Sequence, residues 1–160
     1  MHKQLGVVPN LMKVLGHSPA ALEGYLSLSG ALGKGKLAGP LRERLSMAVA
    51  QINGCDYCLS AHNYLGLNLA KLSQAELDGA RTGHSEDARA QAALAFARSV
   101  ALNRGHVGDA DLAAIKLAGF DEASVLEIVV GVALDTLTNY VNIVAQTDID
   151  FPVVQAKLAA

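Results

Sequence analysis

The sequence predicts an all-α fold, a compact multi-helix bundle that buries its own core and associates with further copies of itself. Three observations lead there. Apolar residues make up 51% of the 160 and charged residues 18%, while aromatics are only 4%. With alanine, leucine and valine dominating the apolar set, the core is expected to rest on tight helix–helix contacts between small side chains. Helix start and stop signals recur along the chain. Finally, Val125, Leu126, Ile128, Val129, Val132, Ala133 and Leu137 surround one helical segment almost completely. Such a helix is buried on several sides, and in a chain this small one side is expected to face another subunit. The length favours a single domain, 1–160.

Each element has its own signal. Met1 to Gly16 reads as an irregular lead-in, with Leu11, Met12, Val14 and Leu15 forming a helical turn. Ser18-Pro19 opens a helix, serine as N-cap and proline in the first position. It runs to about Leu32, with Leu22, Tyr25 and Leu26 inward. Gly33, Gly35 and Gly39 make a flexible connection that exposes Lys34 and Lys36. Pro40 opens the next helix, whose apolar stripe is Leu41, Leu45, Ala48, Val49 and Ile52. Arg42 and Arg44 fall outside the stripe as surface charges, and Met47 walls a pocket or the core. Asn53-Gly54 is a break. A helix follows from Cys55 to about Leu65, with Gly66 at its C-cap. Ser73-Gln74-Ala75-Glu76 is a capping box for a short helix to about Ala80. Ser85 caps a helix with Ala92, Ala93, Leu94, Phe96, Ala97 and Val100 as core, and 103–108 is a loop with His106 in solvent. Asp109 caps a helix over Leu112–Leu117 that Gly119 ends. Asp121 caps the last helix, about Glu122 to Thr147, where Glu127, Asp135, Asn139 and Asn142 need polar partners. A satisfied buried network is the first expectation for Glu127 and Asp135, an interface or pocket position is the alternative, and catalysis is not expected of either.

The chemistry concentrates in one stretch, ERLSMAVAQINGCDYCLSAH, residues 43–62, which holds both cysteines of the chain. On a helix Cys55, Cys58 and His62 share one face, within about 60° of arc. Cysteines three apart have Cα atoms about 5 Å apart, inside the disulfide range. A helix N-terminus stabilises a thiolate, and His62 is one turn beyond Cys58, in reach as a base. Glu43 is on the preceding helix, so its distance to His62 depends on the turn between them; if the two helices pack antiparallel or kink sharply, Glu43 can hold or charge-balance His62, directly or through a water. Three other readings compete. Zinc uses cysteine and histidine, but Cys55 and His62 would lie about 10 Å apart along the helix, too far for one ion. A structural disulfide would close a tiny loop and stabilise little. Two cysteines could also serve as small apolar residues. The clustering with His62 and Glu43 favours thiol redox chemistry.

The pattern E-x11-C-x-x-C-x3-H, here Glu43, Cys55, Cys58 and His62, resembles the signature of the alkylhydroperoxidase D (AhpD)-like proteins of the carboxymuconolactone decarboxylase family. The likeness spans roughly Pro40 to Pro152, leaving 1–39 as an N-terminal helical extension. The late TNYVNIVAQTDIDFP stretch, with Asn139, Asn142 and Asp150-Phe151-Pro152, is similar in a less specific way. The resemblance implies an AhpD-like helical bundle, a trimer or hexamer, with thiol-dependent peroxidase activity. It implies Cys58 as the thiolate that attacks peroxide, Cys55 as the thiol that resolves the sulfenic acid to a disulfide, and Glu43 and His62 as a proton relay. A dithiol of the dihydrolipoamide type would be the reductant, and no cofactor or metal is implied. Tyr57 departs from the pattern, since some characterised members carry histidine there. A decarboxylase-like lyase and a non-catalytic thiol redox sensor are the alternative functions.

Composition limits other partners. The formal charge of −2, from 13 basic and 15 acidic residues, comes without a basic cluster that would suggest nucleic acid. The longest stretch free of charged residues, 57–70, is too short and polar for a membrane span. No apolar signal region follows Lys3 and Lys13. A cysteine pair used in redox work suits a reducing cytoplasm.

Overall fold

The structure, a computed structural model, describes residues 8–156, so the reading of the first seven residues lies outside it. Among the described residues there are eight helices and no strand: α1 Asn10–Leu15, α2 Pro19–Leu32, α3 Gly39–Asn53, α4 Asp56–Asn68, α5 Gln74–Thr82, α6 Ala88–Leu102, α7 Asp109–Leu117 and α8 Glu122–Ala145. The all-α expectation holds.

The bundle is built around α3, which packs against α4, α5, α6 and α8. Its sequence explains this position. Leu45 to Ala50 are six consecutive buried residues, and Ser46, Ala48 and Ala50 are small enough to let neighbouring helices approach on every side. The stripe predicted for this helix is therefore one part of an all-round buried segment, and Met47, fully buried, is core. Arg42 and Arg44 are not free surface charges. Arg42 Nη1 donates to the Leu32 and Leu37 carbonyls at 3.2 and 2.9 Å, and Arg44 pairs with Glu76.

Local signals set most boundaries. Ser18 caps α2, and Ser73 and Glu76 form the reciprocal capping box of α5. Gly54 takes the left-handed conformation, φ 70°, that closes α3 and that favours glycine. Other boundaries differ from the sequence reading. Asp87, not Ser85, caps α6, its carboxylate accepting from Ala90 N–H at 2.8 Å, because the Ser85 hydroxyl is occupied by Asp87 N–H. Asp109 lies inside the first turn of α7, and Asp111 reaches back to Gly108 N–H instead. The last helix ends at Ala145, where Gln146 turns left-handed, φ 49°.

Gly66 is not a C-cap, since α4 continues to Asn68. It is a close-packing residue: a Cβ there would stand 2.6 Å from Leu77 Cδ2, and Leu77 is fully buried. Gly66→Ala is expected to destabilise the protein by about 1–3 kcal/mol through overpacking, measured by denaturant unfolding. The connection before α3 is also less free than its glycines suggest. The Glu127 carboxylate on α8 accepts from Lys36 N–H and Leu37 N–H at 2.8 and 3.1 Å, and Lys36 pairs with Asp121.

Helix α8 is long and apolar enough to cross a membrane by length and composition alone. In the fold it packs against α1, α2, α3, α4 and α6, and it leaves Leu126, Leu137, Tyr140, Ile143 and Val144 exposed along its outer side. After α8 the chain returns over α4. Val154 N–H donates to Ser60 Oγ at 2.9 Å and Ala156 N–H to Asp56 Oδ1 at 2.7 Å.

Candidate active site

The sharp turn at Gly54 makes Cys55 the N-cap of α4, one position outside the helix where the sequence reading began it. Its sulfur accepts from Cys58 N–H at 3.2 Å, a cap in which sulfur replaces the usual oxygen. Cys58 is in the first turn, where backbone N–H groups and the helix dipole favour negative charge. The two cysteines form a disulfide with Cα atoms 5.3 Å apart, close to the expected spacing. Both are buried.

They differ in what they face. A cavity of about 580 Å³ opens between α1, α2, α3, α4 and α8, and Cys58 lines it while Cys55 does not. Its walls are mostly apolar, with Leu11, Met12, Leu45, Leu65 and Phe151 among them. Glu43, His62, Ser46, Asp135 and Asn142 place the polar groups.

His62 follows Cys58 by one turn on α4, and α3 crosses so that Glu43 Oε2 lies 2.8 Å from His62 Nδ1. The link is direct, without an intervening water. With Nδ1–H donating to the carboxylate, Nε2 is the nitrogen left to exchange a proton. Burial alone would lower the His62 pKa; the adjacent Glu43 carboxylate and the charge of Asp135 outweigh it, and the net shift is upward.

Two groups from α8 that sequence did not count as catalytic also enter this site, Asp135 in the pocket position that was the alternative reading for it. Asn142 Nδ2, reaching in from α8, donates to Cys58 Sγ at 3.3 Å, and Asn142 is buried. Asp135, one helical stretch earlier, accepts from Ser46 Oγ–H at 3.1 Å and lines the cavity. Burial pushes its pKa up to about 6; His62 and the Ser46 bond pull against that rise and Glu43 adds to it. Glu127, grouped with Asp135 from sequence, serves the backbone of 36–37, and Asn139 accepts from Asn53 Nδ2 at 2.8 Å.

The raised Asp135 pKa has a consequence for stability. Between about pH 4 and pH 6 the folded protein holds a proton there that the unfolded chain has released. Stability contributed by this group therefore falls as pH rises through that window. Asp135→Asn, which keeps an acceptor for Ser46, is expected to gain about 1–2 kcal/mol at pH 8 and nothing at pH 4, read from urea unfolding at both pH values.

Tyr57 stands between the cysteines. Its hydroxyl accepts from Leu11 N–H at 3.1 Å, its ring meets Phe151 edge-on at 5.9 Å, and burial raises its pKa well above that of a free phenol. The side chain thus ties α1 and the C-terminal segment to the cysteine helix. The described residues hold no cluster of three or more metal-ligating side chains, and the exposed His17, His84 and His106 stand apart from the site.

The bundle and the dithiol helix start facing its cavity define a protein of the AhpD-like fold. The chain belongs to the carboxymuconolactone decarboxylase family, whose pattern matches residues 19–103, from the start of α2 to the end of α6. Several solved structures share the fold. An uncharacterised peroxidase-related protein from Silicibacter sp. TM1040 superimposes with a TM-score of 0.83 at 24% identity, covering 92% of this chain and 79% of that one. An uncharacterised peroxidase-related protein with an alkylhydroperoxidase AhpD core, from Ralstonia eutropha JMP134, gives 0.83 and 24%, covering 94% and 80%. A cysteine-to-alanine variant of the debrominase Bmp8, in complex with 2,3,4-tribromopyrrole, gives 0.80 and 20%, covering 94% and 81%. No curated protein sequence matches the chain.

Proposed function

We propose that the protein is a thiol-dependent peroxidase that reduces an alkyl hydroperoxide. The observation that carries this reading is the asymmetry of the cysteines: Cys58 lines the cavity beside His62 and Glu43, and Cys55 lies behind it. In the reduced protein the Cys58 thiol passes its proton to His62 Nε2. The thiolate attacks the terminal peroxide oxygen, forming an S–O bond as the O–O bond breaks. The departing alkoxide takes the proton from His62. Sulfur is oxidised to sulfenic acid and the peroxide is reduced to alcohol. Cys55 then attacks the Cys58 sulfur, water leaves, and the Cys55–Cys58 disulfide forms. A small dithiol of the dihydrolipoamide type restores both thiols by exchange. A cavity of about 580 Å³ lined mainly by apolar groups suits an organic hydroperoxide better than hydrogen peroxide, which would leave most of it unfilled.

The test is steady-state consumption of tert-butyl hydroperoxide by metal-free protein with dihydrolipoamide as reductant. Turnover is expected. Its absence in protein with confirmed free thiols would overturn the reading. Activity on a lactone acid that survives loss of both cysteines would assign the lyase instead. Oxidation without turnover would assign a redox sensor. The exposed apolar side of α8 supports self-association, and light scattering is expected to give a trimer or hexamer. The dithiol cycle fits a reducing compartment such as the cytoplasm.

A further inference from the structure

Asp135 takes no part in the proposed peroxide cycle, yet it sits in the same cavity. Its neighbours are specific. Ser46, which donates to it at 3.1 Å, follows Glu43 by one turn of α3, so Glu43 and Ser46 share a face. Among the described residues Asp135 makes no ion pair within 4 Å. A half-buried carboxylate without a contacting cation is costly, and a bland structural role would be filled as well by asparagine.

We propose that Asp135 is a positioning residue for His62. Held by Ser46, it forms with Glu43 a two-carboxylate clamp that keeps the imidazole protonated after Cys58 has given up its proton. Glu43 makes the hydrogen bond and fixes the ring; Asp135 acts through charge. Neither carboxylate exchanges a proton in the peroxide step. The inference rests on the reading of His62 as the proton partner of Cys58.

The other charged and titratable groups around the cavity leave this role to Asp135. From α3 come Glu43 and Arg42, and the Arg42 guanidinium is turned to the Leu32 and Leu37 carbonyls. From α4 come His62, the Cys58 thiol and Tyr57, whose hydroxyl is turned to Leu11 N–H, and from α2 comes Tyr25, whose hydroxyl burial and both carboxylates hold above the usual phenol range. On α8 itself Glu127 is bound to the backbone of 36–37. Helices α1 and α6 bring no titratable group to the cavity. The charge of Glu43 opposes the ionisation of Asp135, so the Asp135 arm of the clamp engages as pH rises. Asp135 itself takes up a proton at mildly acidic pH, which releases one arm.

The clamp predicts the shape of a titration. In the reduced full-length protein, the His62 ring proton resonance, assigned by its loss in His62→Gln, is followed by NMR from about pH 4 to pH 9. The wild-type curve is expected to show two steps, one for Asp135 and one for the imidazole. Asp135→Asn should leave one step, with the imidazole pKa lower by roughly one unit. Ser46→Ala should keep two steps and move the lower one upward, because the hydrogen bond that favours the ionised carboxylate is gone. A single-step wild-type curve that Asp135→Asn leaves in place would overturn the proposal. If Asp135→Asn does not fold, the Ser46→Ala curve decides it, and an unmoved lower step sinks the clamp. The measurement needs no turnover. A two-step curve in a protein inactive toward peroxide removes the peroxidase reading alone, and a missing second step in an active enzyme removes the clamp alone.

Discussion

Cys58→Ser is expected to reduce hydroperoxide turnover by more than about 10³-fold, to the uncatalysed background, because no other thiol lines the cavity. A serine hydroxyl neither ionises near neutral pH nor forms a stable bond to the peroxide oxygen. Cys55→Ser has a different outcome. It should consume one equivalent of peroxide and stop, since Cys58 can still attack but no thiol remains to release water from the sulfenic acid. A sulfenate-trapping reagent should label that variant and not the wild type. A Cys58→Ser protein that keeps most of its activity would remove Cys58 from the mechanism. Stoichiometric sulfenate at residue 55 would exchange the two roles.

Glu43→Gln and His62→Gln should each slow the peroxide step by roughly 10²–10⁴-fold, the usual contribution of a positioned acid–base group. His62→Gln removes the group that takes the thiol proton and returns it to the alkoxide. Glu43→Gln leaves a hydrogen-bond partner for Nδ1 at the same place but removes the charge that favours the protonated ring. The two residues touch at 2.8 Å, so their effects should not add. The double variant is expected to be about as slow as the slower single one. Stopped-flow measurement of Cys58 oxidation at fixed pH separates this step from reductant exchange. Unchanged rates in both single variants would show that the proton leaves Cys58 by another route.

The exposed side of α8 and the cavity on its inner side come from one sequence run. Val125 to Val132 carries apolar residues all round, which predicts burial on several faces. In the described chain α8 buries Val125, Ile128 and Val132 against the bundle and leaves Leu126 and Leu137 outside. The polar residues that interrupt the run divide accordingly. Asn139 meets Asn53, Asn142 meets Cys58, and Asp135 meets Ser46. Sequence indicated that these side chains needed partners, but not which ones, because each partner lies more than eighty positions away.

Local chemistry was legible wherever neighbours in sequence decide it. The serine of Ser18-Pro19, the Ser73–Glu76 capping box and the left-handed Gly54 each act within one helical turn, so their effect is written in a few adjacent residues. The spacing of Cys55, Cys58 and His62 likewise determined a thiol pair at a helix start with an imidazole one turn on. The cysteine pair as such therefore belongs to the sequence. The tertiary structure decided what that pair faces. Only the crossing of α3 over α4 brings Glu43 onto His62, and only the return of α8 places Asn142 on the Cys58 sulfur and Asp135 in the cavity. It also gave Gly66 a packing role, because Leu77 approaches from another helix. The physical reason is the same in each case. Backbone propensity and capping act over three or four residues, whereas burial, charge coupling and the choice of which sulfur meets the cavity depend on helices brought together by the core.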